Sequence, residues 1–315
     1  MSEICFLGID TSNYTTSLAI ADEGGEIIAN LKIPLSVKSG ERGLRQSDAV
    51  FQHTKNLPEI FSMAEDYLGN YKPVAVGVSV SPRSKEGSYM PCFLAGKAAA
   101  YSVAKTTGVP LFELSHQNGH VMAAAYSGGV PDELLKSPFL AFHVSGGTTE
   151  ALLVRPTGYD FSCEIIGGTK DINAGQAIDR IGVAMGLNFP CGPELERLAL
   201  ECGEKIPQKR VCVSDGYCNL SGLENKAVAL FEQTENKNLV AAYVIDFVGE
   251  TLERITDDLR SKYPGYPIVY SGGVMSCSIL RDRLKKENCY FAKPAFSADN
   301  AAGIALLCRK NYLKL

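Results

Sequence analysis

Residues 139–168 read FLAFHVSGGTTEALLVRPTGYDFSCEIIGG. An apolar run, a Ser-Gly-Gly-Thr-Thr turn, a second run, a turn at Pro-Thr-Gly and a third run predict three strands joined by hairpins. The same plan stands near the start of the chain. There ICFLGID leads into the polar turn TSNYTT, and SLAIADEGGEII supplies a strand, a Gly-Gly hairpin and a further strand. A second pair of segments also matches. KPVAVGVSVSP and YPIVYSGGVMS are apolar strands running into loops, followed by the helical patterns FLAGKAAAYSVAK and SILRDRLKK. Two copies of a hairpin sheet, helices and one more strand predict a duplicated α/β fold with a cleft between the copies. The expected first domain is residues 1–114, completed by 299–315 as an amphipathic helix packing back on it. The expected second domain is residues 115–298.

The length of 315 residues agrees with two domains. Hydrophobic residues make up 45% and charged residues 21%, an ordinary soluble composition. A chain this long buries roughly three quarters of its unfolded surface and needs no disulfide or metal staple to fold. The net charge of −4 and pI of about 5.7 exclude nucleic-acid binding through an overall basic field, leaving only local patches. MSEICFLGID has no basic segment before a long apolar one, and no run of apolar residues is long enough to span a bilayer. The expectation is a cytoplasmic protein without membrane contact. Its ten cysteines include no Cys-x-x-Cys pair and several lie in apolar runs, which predicts reduced thiols filling a core.

Small and hydroxyl residues at a hairpin tip leave backbone N–H groups open to phosphate oxygens. Ser145-Gly146-Gly147-Thr148 is the strongest such turn. Asp10-Thr11-Ser12-Asn13 is its counterpart, with a carboxylate able to hold a hydrated cation beside phosphates. Ser271-Gly272-Gly273 follows a strand and opens a helix, a place for a nucleoside or α-phosphate. The histidines are His53, His116, His120 and His143. His116 and His120 are four apart, so a helix would set both rings on one face, able to grip one metal. Zinc proteases share that spacing but need Glu directly after the first His as general base. Here Gln117 stands there and cannot accept a proton. The pair reads as a metal site without protease chemistry.

Taken together, these residues resemble the TsaD family, which transfers a threonylcarbamoyl group to a tRNA adenosine and was formerly called O-sialoglycoprotein endopeptidase. The resemblance runs from Gly8 to about Ala305. It implies the duplicated fold shared by actin, sugar kinases and heat-shock ATPases, an actin-like ATPase fold. It implies that His116 and His120 are the family's metal pair and that Asp299, in Ser-Ala-Asp-Asn-Ala-Ala, is the third ligand. His143 stands where archaeal and eukaryotic relatives bring a tyrosine to the metal, which makes it a candidate fourth ligand. The ion would be one divalent transition metal, zinc or iron; imidazoles suit either. Ser145, Gly146, Gly147 and Thr148 match the phosphate loop. Asp179, Gly192 and Glu196 fall where the family grips ribose and base, Ser221-Gly222-Leu223 matches a further motif, and Gly272 and Gly273 match the adenosine-side turn. Asp10 and Cys277 complete the implied adenine-nucleotide set.

The chain also departs from the family's pattern. An acidic pair in the first turn is replaced by Asn13 and Tyr14. A Gly-Pro-Gly loop facing the acyl donor is replaced by residues 81–88, SPRSKEGS. An adenosine-side asparagine is replaced by Cys277, read as a plain substitution rather than a nucleophile because no His base accompanies it. The expected reaction takes threonylcarbamoyl-adenylate as donor and a tRNA adenosine as acceptor. The alternative is a nucleotide-binding paralogue with another acceptor or a regulatory role; a protease is disfavoured. The implied partners are tRNA, a smaller paralogue of the same fold and an ATPase. Lys38, Arg42, Arg45, Arg83 and Lys85 are local candidates for RNA contact, weak alone and steeply salt-dependent.

Overall fold

The computed structural model describes residues 3–12, 14–37, 44–158 and 160–314. Asn13, Lys38 and Arg42 lie outside them. The chain divides into two compact units. Unit 1 is Met1–Ser127, Pro156–Cys163 and Ala295–Leu315; unit 2 is Gly128–Arg155 and Glu164–Pro294.

In chain order unit 1 begins with β1 (Glu3–Asp10), β2 (Thr15–Asp22), β3 (Ile27–Pro34) and α1 (Gln46–Leu68). It continues with β4 (Tyr71–Ser81), α2 (Phe93–Thr107), β5 (Leu111–Ser115) and α3 (His116–Gly128). Its sheet has the order β3-β2-β1-β4-β5, with β1 antiparallel to β2 and parallel to β4. Residues 5–10 of β1 are all buried, which is why the strand reads as an unbroken apolar run instead of an alternating one. Its two faces serve two cores. Cys5, Leu7 and Ile9 pack with Leu57 and Ile60 of α1 and Ala100 of α2. Phe6 packs with Ala302, Ala305 and Leu306 from the C-terminal segment.

Unit 2 contains β6 (Phe139–Val144), β7 (Thr149–Thr157), β8 (Asp160–Thr169), α4 (Ala174–Ala184) and α5 (Gly192–Leu200). Next come β9 (Val213–Ser214), β10 (Tyr217–Cys218), α6 (Ser221–Thr234) and α7 (Lys237–Lys262). Its last elements are β11 (Ile268–Ser271), α8 (Ser278–Leu284) and β12 (Cys289–Phe291). Its sheet order is β12-β11-β6-β7-β8-β10-β9, and β6 is antiparallel to β7 and parallel to β11. Strand for strand, β8-β7-β6-β11-β12 repeats β3-β2-β1-β4-β5, the duplication read in the sequence. The added β10-β9 pair extends the β8 edge. The long helix α7 has Asn236 as a true N-cap, its side chain accepting from Leu239 N at 3.1 Å.

The chain closes in unit 1 with α9 (Pro294–Ser297) and α10 (Ala302–Tyr312). Two expectations are corrected here. Residues 299–315 do not form an amphipathic helix: α10 starts at Ala302, and its first seven residues are all buried. It is a core helix, admitted by paired glycines. A Cβ on Gly8 would stand 2.4 Å from Ala305 N, and one on Gly77, its neighbour across the sheet, 2.8 Å from Cys308 Cβ. The division also does not fall at residues 114 and 299. Helix α3 stays with unit 1 because it is pressed onto α10: a Cβ on Gly303 would come within 1.8 Å of Gly119 O. The tip of the β7–β8 hairpin, Pro156–Cys163, joins unit 1 as well. There Asn118 of α3 donates to Asp160 Oδ1 and to Phe161 O, both at 2.8 Å. All ten cysteines are free thiols and six are buried. No helix among the described residues is long and apolar enough to cross a membrane.

Candidate metal centre and nucleotide loops

Helix α3 begins directly after β5, so His116 and His120 project from its first turn and a half. Their rings meet edge to face with centroids 4.3 Å apart, and the two Nε2 atoms are 2.9 Å apart. The glycine contact between α3 and α10 brings in the segment just before α10. Asp299 Oδ1 lies 3.3 Å from His120 Nε2 and 3.7 Å from His116 Nε2. The three donor atoms lie within 4.8 Å of one another. Two imidazole nitrogens and a carboxylate oxygen facing one point form a donor set that suits zinc or iron.

Behind His116 stands Asp10, the last residue of β1, which is fully buried. Its Oδ1 lies 3.0 Å from His116 Nδ1, its Oδ2 accepts from Ser12 Oγ at 2.6 Å, and Ser79 Oγ donates to Oδ1. Burial works against the Asp10 anion, but the charge and hydrogen bond of His116 and the two serine hydroxyls outweigh it and hold the carboxyl below its ordinary value. Burial likewise opposes the His116 cation, yet Asp10 and then Asp299 push its pKa up to about 9. Without an ion the ring thus carries a proton on each nitrogen; a metal would displace the one on Nε2, while the carboxylate on Nδ1 keeps that nitrogen protonated and turned away from the ion. By its sequence context Asp10 belongs with the nucleotide turns. Its complete burial and its contact with His116 join it to the histidines as well.

The loop at 81–88 is built onto this set. Pro82 O accepts Gln117 N at 3.0 Å, and Ser84 Oγ lies 3.1 Å from Asn118 Nδ2. Asn118 itself, between the two histidines in sequence, is fully buried. An isolated Asn carries no motif, so nothing in the sequence singles it out. His53 on α1 is also fully buried, its Nδ1 2.9 Å from Thr16 Oγ1, and burial holds its pKa down. His143 is in unit 2, where its Nδ1 lies 3.2 Å from Ser271 Oγ. Among the described residues, the metal-capable group contains His116, His120 and Asp299.

The other nucleotide candidates all lie in unit 2 and are tied to one another. Ser145 N donates to Thr148 O at 2.7 Å and Thr148 N to Ser145 Oγ at 3.1 Å, closing the turn. Gly146 and Gly147 at its tip are exposed, and a Cβ on either would meet nothing within 4 Å. Gly175 N, in the first turn of α4, donates to Ser145 O at 3.1 Å. Further along α4, Asp179 Oδ1 accepts Cys191 N at 2.8 Å and so holds the start of α5, where Gly192 faces open space. Glu196 of α5 then accepts Ser278 N at 2.7 Å and Ser278 Oγ at 2.5 Å, at the start of α8. The Gly272–Gly273 turn precedes that helix. Gly272 has φ +98°, and a Cβ there would lie 2.2 Å from Val144 O, so only glycine fits. Burial pushes the adjacent Cys277 thiol up to about 11, which leaves it protonated at neutral pH and supports reading it as a plain substitution.

A family model described as tRNA N6-adenosine threonylcarbamoyltransferase, TsaD, matches residues 52–306. The chain belongs to this family. The tRNA N6-adenosine threonylcarbamoyltransferase of Streptococcus pneumoniae (strain Taiwan19F-14) is 30% identical, over 91% of this chain and 85% of the relative. That of Streptococcus pyogenes serotype M4 (strain MGAS10750) is 29% identical, over 100% and 92%. Among solved structures, full-length HypF in the phosphate- and nucleotide-bound form aligns with a TM-score of 0.60 at 15% identity, over 99% of this chain and 56% of that one. A ROK family glucokinase from Streptomyces griseus, in complex with glucose and AMPPNP, aligns at 0.53 and 12% identity, over 97% and 99%. At such identities these neighbours speak for the fold alone. It is the actin-like ATPase and sugar-kinase fold that the sequence predicts.

Proposed function

We propose that the chain transfers a threonylcarbamoyl group from an acyl-adenylate to the N6 amine of a tRNA adenosine. What carries the reading is a three-residue donor group, His116, His120 and Asp299 with Asp10 behind it, in a chain belonging to a family described by that activity. His116 Nε2, His120 Nε2 and Asp299 would hold one divalent transition ion, zinc or iron, whose chemistry when bound is Lewis-acid polarisation of an acyl carbonyl. Asp10 sets the tautomer of His116 and, buried with Ser12 and Ser79, keeps its ring from turning. The exposed backbone N–H groups of Gly146 and Gly147 would donate to the adenylate phosphate. Asp179, Gly192, Glu196 and Gly273 would position its nucleoside. With Cys277 protonated, no covalent enzyme intermediate is needed.

A net charge of −4 gives no general attraction for tRNA, so partner proteins, a smaller paralogue and an ATPase by family likeness, are expected to help recruit it. A second reading, a paralogue with a changed acceptor or a regulatory role, is favoured by one observation. The loop that departs from the family pattern is hydrogen-bonded to Gln117 and Asn118, directly beside His116. The deciding experiment supplies threonylcarbamoyl-adenylate and unmodified tRNA to the purified chain, with and without partners, and measures modified nucleoside by mass spectrometry. Formation of threonylcarbamoyladenosine, lost in His116→Ala, supports transfer. Nucleotide binding without product under every condition supports the second reading.

A further inference from the structure

Unit 2 contains a cavity of about 450 Å³ lined by Gln208, Lys209, Arg210, Lys226 and Tyr243. Its lining holds three cations, an amide and a phenol, and no carboxylate. The position of Arg210 is imposed by its neighbours. Lys209 Nζ is fixed on α7 by Asp246 and, at 3.1 Å, by Glu250. On the other side, Val211 O accepts Arg254 Nη1 at 3.1 Å. The segment is thus pinned on both flanks of Arg210, whose own side chain is exposed. Lys226 is exposed on α6, with Nζ 5.6 Å from the centre of the Phe247 ring. Among the described residues neither Arg210 nor Lys226 makes an ion pair, whereas Asp246 and Glu250 are taken by Lys209, Arg254 and Arg283. In an acidic chain this leaves two uncompensated cations facing one opening.

We propose that this cavity binds the phosphate backbone of the tRNA acceptor. The proposal rests on the tRNA reading above and gives it a docking point. The lining offers one donor held in place, Lys209, whose charge Asp246 and Glu250 already meet, and two exposed cations, Arg210 and Lys226, whose charge no carboxylate among the described residues meets; that uncompensated charge is what attracts a phosphodiester. It offers no aromatic face on which a base could stack, because Tyr243 is only 5% exposed. The cavity therefore holds backbone without reading bases, and a free nucleotide gains nothing there from its base.

The test uses the full chain and unmodified tRNA, with affinity measured between about 50 and 200 mM salt. Replacing two phosphate-contacting cations, as in the double variant Arg210→Gln/Lys226→Gln, is expected to make the slope of log affinity against log salt shallower by about 1.5. At the lowest salt it is expected to weaken binding about tenfold. Both side chains are exposed, so the urea midpoint stays unchanged; Arg210→Gln alone should give about half the slope change. An unchanged slope in the double variant overturns the site while leaving the tRNA reading intact. No tRNA binding by the wild type at low salt also overturns it. So does an equal loss of AMP affinity in the double variant, which would mark a nucleotide pocket. If the slope changes as expected but no threonylcarbamoyladenosine forms in the transfer assay, the cavity stands as an RNA site and the transferase reading falls.

Discussion

The turn after β1 and the turn after β6 occupy the same place in two copies of one sheet, yet they are finished in opposite ways. After β1 the chain ends its strand on a buried carboxylate, with Thr11 and Ser12 buried behind it. Asp10 turns inward to a histidine ring. After β6 the matching strand end is Val144, and the tip that follows is two exposed glycines held by Ser145 and Thr148. The end of β1 holds a side chain through buried hydrogen bonds; the turn after β6 is bare backbone open to an anion. A duplicated scaffold needs only a handful of residues at its strand ends to split binding tasks between its halves. The helices reinforce the split. In unit 1 β5 runs straight into α3, which carries His116 and His120, whereas the chain leaving β12 of unit 2 meets only the four-residue α9.

The sharpest way to break this comparison is to empty the first turn's partner. The double variant His116→Ala/His120→Ala is expected to retain no stoichiometric metal by elemental analysis, against about one ion per chain in the wild type. Its affinity for AMP in calorimetry should stay within about twofold, since the nucleotide candidates belong to unit 2. Equal metal content in both proteins would remove the metal from unit 1.

Within unit 2, Gly272→Ala is expected to cost about 3 kcal/mol in urea unfolding, because it combines a positive φ with a clash against Val144 O. Gly146→Ala, placed in open space, should change stability by less than about 0.5 kcal/mol and weaken nucleotide binding instead. If the two substitutions behave alike, the division of the loop into scaffold and contact glycines is wrong.

Asp10→Asn tests the support itself. Metal affinity measured by competition with a chromogenic chelator is expected to fall about 10–100-fold, the usual effect of losing an outer carboxylate. No change would mean that Asp10 serves the turn alone.

The smallest effect belongs to Asp171, which joins the end of β8 to the start of α6 through Leu220 N at 2.7 Å and Ser221 N at 3.0 Å. Slight desolvation raises its pKa, but these hydrogen bonds outweigh that and hold it well below the usual carboxylate range. Its folded-state pKa is depressed, so its contribution is present above the unfolded value of about 4 and is lost as pH falls below it. Asp171→Asn is expected to cost about 1 kcal/mol at neutral pH, as a lost helix cap does, with the difference shrinking in acid. A difference that grows in acid would reverse the sign and refute the assignment.

Local pattern is enough for much of this molecule. Apolar runs and turn residues mark both hairpins, and the four-residue spacing of His116 and His120 announces a shared helical face, because strand and helix periodicities are properties of neighbouring residues. The partners of those elements are not legible. Asp10 reads as a phosphate-side carboxylate until β1, β4 and α3 enclose it with Ser79 and His116, contacts 69 and 106 residues away in the chain. The buried course of α10 is hidden too: its polar last turn reads as one side of an amphipathic helix, and only the pairing of Gly8 with Gly77 and the contact of Gly119 with Gly303 reveal that the helix enters the core. Arg210 and Lys226 carry no motif at all. What isolates them is that the nearby carboxylates of α7 are already taken by other cations, and a sequence names charges without saying which ones neutralise each other.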